Sequence, residues 1–181
     1  GGGTTDIAVV RQGGVEGTKM FALGGRSFTK RISQTMGVSF EEAEEMKIKY
    51  SHNELPQDDQ VFIKKALETD SQVWLSGVEL TLEEFSKVDI LPSKILMCGG
   101  GSGLPELAEV LENAHWSPSL PFAKKPVVHF IKATDVENIS DETKSLNNLW
   151  DITPMSLANM AIDLVGEEAV MDSVLNKIVT S

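Results

Sequence analysis

The run Ile7-Ala8-Val9-Val10 is unbroken apolar, and residues 6–10 read as a strand. Gly13-Gly14 is a turn signal, and residues 15–23 are predicted as the return strand of a hairpin. After Gly24-Gly25 the period changes. Phe28, Ile32 and Met36 recur at helical spacing, so residues 27–36 are predicted as a helix closed by Gly37 at C′. Ser39 with Glu42 three positions on has the capping-box pattern. It opens a predicted helix over residues 40–50 that carries Ala43, Met46 and Tyr50 on its buried side. Residues 52–59 are a polar loop with Pro56, and 60–68 are helical. Val73-Trp74-Leu75 and Val78-Glu79-Leu80 read as short strands around Gly77, and Thr81 with Glu84 caps a short helix over 81–88.

The second half begins with Ile95-Leu96-Met97-Cys98, a strand without alternation, expected to be covered on both faces as in the middle of an α/β sheet. Pro105 lies in the first turn of the helix that follows. Pro118, Pro121 and Pro126 mark a loop, residues 127–131 a strand, and residues 139–150 a polar loop. Asp151 or Thr153 caps a long helix beginning near Pro154, with Leu157, Met160, Ala161, Leu164 and Val165 predicted inward. A final helix over 167–178 follows Gly166. Internal repeats and low-complexity tracts are absent from the sequence.

Composition narrows the function. The formal net charge of −11 disfavours nucleic-acid binding, which depends on clustered Lys and Arg. One cysteine excludes an internal disulfide and a Cys-based metal site, and Cys98 reads as a small buried apolar side chain. Apolar runs stay short of the ~20 residues that span a bilayer. The first residue is not Met and a strand reads as cut just before Gly1, so the chain is expected to be a fragment completed by an N-terminal part. His52, His115 and His129 lack ligand spacing, and Trp74, Trp116 and Trp150 are expected to anchor packing.

Two glycine turns carry the candidate chemistry. Gly1-Gly2-Gly3-Thr4-Thr5 precedes the first strand, and Gly99-Gly100-Gly101-Ser102 joins a strand to a helix. Glycine lets main-chain N–H groups approach phosphate without a Cβ in the way. The first turn reads as a phosphate hairpin, with the Thr4 and Thr5 hydroxyls assisting, or as a tight turn. The second reads as a flat platform for a base or sugar, or as a strand-to-helix turn needing positive φ; the G-x-G-x-x-G dinucleotide fingerprint is absent. Glu44 and Lys47 share a helix face, either to hold a ribose and base or as a solvated i,i+3 ion pair.

These segments resemble known ones. Residues 1–9, GGGTTDIAV, resemble the second phosphate motif of actin-like ATPases, and 95–102, ILMCGGGS, their adenosine motif. EAEEMKIKY at 42–50 is similar to the ribose- and adenine-contacting helix of the bacterial members, and FALGG at 21–25 is closest to the FtsA family, with the PilM group nearly as close. The resemblance covers residues 1–165. It implies the second lobe of a two-lobe, ribonuclease H-like α/β fold with a small inserted subdomain: 1–36 and 92–165 as core, 37–91 as a reduced insertion, and 166–181 as a C-terminal helix. It further implies Mg2+-ATP in the cleft between lobes, with Gly1, Gly2, Gly3, Thr4 and Thr5 at the phosphates, Glu44 and Lys47 at ribose and base, and Gly99, Gly100, Gly101 and Ser102 at the adenine. The family's acidic residue that positions magnesium would precede Gly1, so this piece alone is expected to be inactive, and with half the cleft absent it is expected to bind ATP weakly.

The resemblance points to an ATP-binding division scaffold that assembles into filaments with itself and with a tubulin-like partner. It would lie in the cytoplasm, peripheral to the inner membrane face. Alternatives within the superfamily are a PilM-like pilus adaptor, a sugar or acetate kinase, and a DnaK-type chaperone domain. Residues 167–178 have apolar Val170, Val174, Leu175 and Ile178 but only Lys177 as a cation. They are therefore read as a packing or partner-binding helix rather than a membrane-surface one.

Overall fold

Strand β1 (Thr5–Arg11) turns through Gln12 and Gly13, at φ 51° and 80°, into antiparallel β2 (Gly14–Phe21). Two successive positive φ values give the hairpin turn whose twist matches the strands. Val9 faces Gly17 while Val10 faces Val15, so Glu16 is an extra residue in a bulge. The computed structural model describes residues 2–85, 89–113 and 115–179, with side chains as far as Val165. The chain divides into two compact units, one ending at Phe130 and the other beginning at Ile131.

In the first unit, α1 (Gly25–Met36) buries Phe28, Thr29 and Ile32 and stops at Gly37, which takes φ 68° and returns its N–H to Ser33 O. Ser39 then caps α2 (Phe40–Ser51) with the reciprocal bonds of the capping box. The buried side of α2 is Ala43, Lys47 and Tyr50. Met46 is only partly covered, so the apolar face is interrupted by a lysine.

Residues 57–83 form one helix, α3 (Gln57–Glu83), which replaces the helix-strand-strand-helix reading of this stretch. Its buried residues, Ile63, Leu67, Ser71, Trp74, Leu75, Val78 and Thr81, follow a 3.6-residue period across both supposed strands. The β-branched and aromatic clusters at 73–75 and 78–80 are local sections of that stripe. Gly77 is a packing glycine within it, since a Cβ there would lie 2.6 Å from Cε2 of Phe21. The Thr81 hydroxyl donates back to Gly77 O at 2.7 Å instead of capping a new helix. Of the predicted 81–88 helix, residues 86–88 lie outside the described residues.

Strand β3 (Lys94–Met97) pairs in parallel with β4 (Val127–Phe130). Between them run the second glycine turn and α4 (Pro105–Asn113). Both-face burial of β3 is not observed. Met97 is covered, Leu96 is 50% exposed, and Cys98 is exposed rather than buried. The cause is the period of two: positions 94, 96 and 98 share one exposed face, while Ile95 and Met97 turn to the core. The core gathers Ile32, Ile63, Leu67, Trp74, Leu107 and Trp116, among others. Each fully buried Ile or Leu contributes roughly 1.5–3 kcal/mol. Arg31 forks onto Asp70 at 2.7 and 2.8 Å, tying α1 to α3, and Lys64 reaches Glu109 of α4 at 3.2 Å.

In the second unit the loop at 141–146 is organised by Asp141. Its carboxylate accepts from the Thr143 hydroxyl and from the N–H groups of Thr143, Ser145 and Leu146, which lowers its pKa to about 2. Asp151 directs its carboxylate back to Asn148 N–H while its carbonyl accepts the first bond of α5 (Ile152–Val179). That helix continues unbroken through Gly166. Ile152 and Met155 are buried, but Leu157, Met160, Ala161, Leu164 and Val165 face outward instead of inward. Within this unit the helix packs on the short 3-10 turn Ala133–Asp135, which covers only its first turns. Trp150 is 46% exposed, unlike the anchors Trp74 and Trp116. The side chains of Val170, Val174, Leu175, Lys177 and Ile178 lie outside the described residues.

Candidate functional site

Gly1 lies outside the described residues. The carbonyl of Gly2 accepts the Arg26 N–H at 2.8 Å, which seats the first glycine turn against the start of α1. At Gly3 an added Cβ would meet nothing within 4 Å, and its φ lies outside the left-handed region. Thr4 donates to Asp6 Oδ2 at 3.3 Å. The Thr5 hydroxyl serves the fold: it donates to Leu23 O at 2.7 Å and accepts the Trp74 indole N–H at 2.9 Å. Its proton is therefore committed to the protein.

Next to this turn lies the Glu44–Lys47 pair, which is not a solvated pair. Lys47 is 9% exposed and its Nζ faces inward. It donates to Glu44 Oε1 and Oε2 at 2.8 and 2.7 Å and to Thr29 Oγ1 at 2.8 Å, and lies 3.4 Å from Gly25 O. Thr29 also bonds Glu44 Oε2. These contacts use the three ammonium protons, so Lys47 works as a strut between α1 and α2. Glu44 keeps an exposed edge. Partial burial raises its pKa, but the bonds from Lys47 and Thr29 and the charges of Lys47 and Arg26 outweigh that and hold it below the usual carboxylate range. It is thus an ionised acceptor facing out, suited to hydroxyl donors.

The second glycine turn is held at the other end of α2, about 10 Å along the axis from Glu44 at 1.5 Å per residue. Ser51 of α2 lies 3.7 Å from where a Cβ on Gly103 would be. Gly99 takes φ 86°, as a turn would require. Gly100 and Gly101 do not take positive φ, and a Cβ on either would meet nothing within 4 Å. Ser102 is buried and bonds back to Gly99 O at 2.6 Å, so its hydroxyl closes the turn.

Two residues escaped the sequence reading. Tyr50 donates its hydroxyl to Glu106 Oε1 across α2 and α4. Glu106 is 3% exposed and its Oε2 lacks a partner. Burial pushes the Glu106 carboxyl up, against the opposing Tyr50 bond, and burial beside Glu106 pushes the Tyr50 phenol up. A Tyr on a buried stripe needs a bonded hydroxyl, which was the signal available. A carboxyl with a raised folded pKa stabilises most below its unfolded pKa, near 4.5, and that stability is lost as pH rises toward the folded value. Glu106→Gln keeps an acceptor for Tyr50 and removes the titration. The variant should therefore gain on wild type in melting temperature as pH is raised from 4 to 8, and parallel curves would refute this.

The described residues contain no cluster of three His, Cys, Asp or Glu side chains placed to hold a metal ion. Mg2+ that accompanies a nucleotide commonly keeps several waters and is held in part by the phosphates themselves. The open glycine faces and the outward Glu44 fit the rest of a nucleotide.

A family model described as cell division protein FtsA matches residues 1–145. The cell division protein FtsA of Bacillus subtilis (strain 168) is 27% identical over 131 residues, which is 62% of this chain and 30% of that protein. The chain thus spans about a third of that relative's length. Among solved structures, the PilM-PilN type IV pilus biogenesis complex is similar over 76% of this chain and 38% of its own, with a TM-score of 0.52 at 22% identity. The ethanolamine utilization protein EutJ from Carboxydothermus hydrogenoformans is similar over 70% and 41%, with a TM-score of 0.45 at 24% identity. The α/β fold is actin-like, and the chain belongs to the FtsA family of cell division proteins.

Proposed function

We propose that this chain is the second lobe of an FtsA-like scaffold of bacterial cell division that binds Mg2+-ATP and assembles in an ATP-dependent way at the inner face of the membrane. The observation that supports it best is the pair of glycine faces at Gly3 and Gly100-Gly101, which the protein's own backbone and packing do not require. Glycine lowers stability by widening the unfolded ensemble, so its use where neither φ nor a neighbour demands it favours close approach by a ligand. The first turn would take phosphates through its N–H groups and Thr4, Glu44 would accept ribose hydroxyls with Lys47 fixing its position, and Gly99-Gly100-Gly101 would lie under the base. ATP bound between two lobes stabilises their closed arrangement, because it touches both only there. Closed subunits would then associate into filaments and with a tubulin-like division partner.

Among the described residues, no helix is long and apolar enough to cross a membrane; the membrane contact proposed here is peripheral. The deciding experiment is sedimentation of the full-length protein with liposomes, with and without Mg2+-ATP. Pelleting that needs both lipid and nucleotide supports the scaffold. Monodisperse, unpelleted protein under both conditions overturns assembly at the membrane and directs attention to a PilM-like adaptor.

A further inference from the structure

A nucleotide triphosphate brings about four negative charges to a chain that already carries −11. The candidate site as read from the sequence offers it no free cation, because Lys47 is spent on Glu44, Thr29 and Gly25. Elsewhere in the first unit Arg31 pairs with Asp70, Lys19 with Glu84 and Lys64 with Glu109. Lys30, one turn further along α1, is exposed and makes no ion pair among the described residues, but no hydrogen bond among them joins it to the glycine turn. Arg26 differs. Its main-chain N–H holds Gly2 O at 2.8 Å, and its side chain runs along the glycine turn. A Cβ on Gly2 would lie 3.7 Å from Arg26 Nε, 3.8 Å from Cγ and 4.0 Å from Cδ. Arg26 is exposed and, among the described residues, makes no ion pair.

Resting on the nucleotide reading above, we propose that Arg26 is the phosphate-charge residue of this site. Its guanidinium would clamp the phosphate chain of a nucleoside di- or triphosphate against the Gly2-Gly3 turn. The guanidinium fork suits phosphate oxygens, and its position beside Gly2 sets it there before a ligand arrives. Glu44, on whose carboxylate the charge of Arg26 also acts, already takes protons from Lys47 on both oxygens. Arg26 thereby gives the site its preference for phosphorylated nucleosides over the bare nucleoside, while Glu44 and the second glycine turn serve both.

The test uses the full-length protein and calorimetric titration with ATP, ADP and adenosine. Arg26→Gln keeps much of the stem that packs on Gly2 and removes the charge. It should weaken ATP and ADP by roughly tenfold or more while leaving adenosine unchanged, with Arg26→Lys intermediate. Unchanged ATP and adenosine affinities in Arg26→Gln would overturn the assignment and leave the nucleotide reading standing. Equal losses for all three ligands would overturn it too, since Arg26 would then act only by shaping the turn. Wild-type protein that binds neither ATP nor adenosine would bring down the nucleotide reading, and this proposal with it.

Discussion

Lys47→Ala lowers the stability of the fold by about 2 kcal/mol, a drop of about 4–8 °C in melting temperature for a chain of this size. Breaking a fully buried pair costs about 3–5 kcal/mol, and the partial exposure of Glu44 lets water recover some of that. A solvated i,i+3 pair would be worth only ~0.3–0.5 kcal/mol, so the two readings of this pair differ by several degrees. The burial of Lys47 and its bonds to Glu44 and Thr29 decide between them. Lys49, exposed on the same helix, supplies the control: Lys49→Ala should move the melt by less than about 0.5 kcal/mol. The pH dependence adds a second readout. Glu44 has a depressed folded pKa, so its contribution is present above the unfolded value near 4.5 and lost as pH falls through the folded one. The gap between wild type and Lys47→Ala should therefore narrow in acid. A melt shift below 0.5 kcal/mol at neutral pH would return the pair to the solvated face.

What could be read without the structure follows the range of the forces involved. The hairpin, the stop at Gly37 and the Ser39–Glu42 capping box are set within a few residues and are legible as such. The 73–80 stretch misleads because its clusters favour strand locally. The longer stripe from Ile63 to Thr81 and the Phe21 ring over Gly77 decide for helix. Lys47 misleads in the same way, since an acceptor set drawn from both α1 and α2 is invisible to helix periodicity. The apolar residues of α5 are spread around the helix, so the sequence names a helix there but not a face. In the site, the glycines announce themselves by composition, whereas Arg26 enters only through the contact between positions 2 and 26. The structure adds a distinction among the glycines that composition cannot make: Gly99 is demanded by its backbone, Gly77 by a neighbour, and Gly3, Gly100 and Gly101 by neither.

That distinction predicts a double variant in which stability and binding move in opposite directions. Gly100→Ala with Gly101→Ala should leave the melt unchanged or raise it, by about 0.4–1 kcal/mol per site, because alanine narrows the unfolded ensemble where the native backbone accepts it. The two methyl groups enter open space and touch no protein atom within 4 Å. In the nucleotide reading that space belongs to the ligand. Each methyl then holds the base off the backbone, and ATP affinity should fall at least tenfold, the equivalent of about 1.4 kcal/mol. Adenosine should suffer the same loss as ATP, which separates this end of the site from the phosphate end at Arg26. Calorimetric titration and thermal melts on the same preparations read both quantities. Loss of stability would mean that the turn itself needs these glycines. Unchanged ATP affinity in a stable variant would remove the second glycine turn from the site and, with it, the observation on which the nucleotide reading chiefly rests.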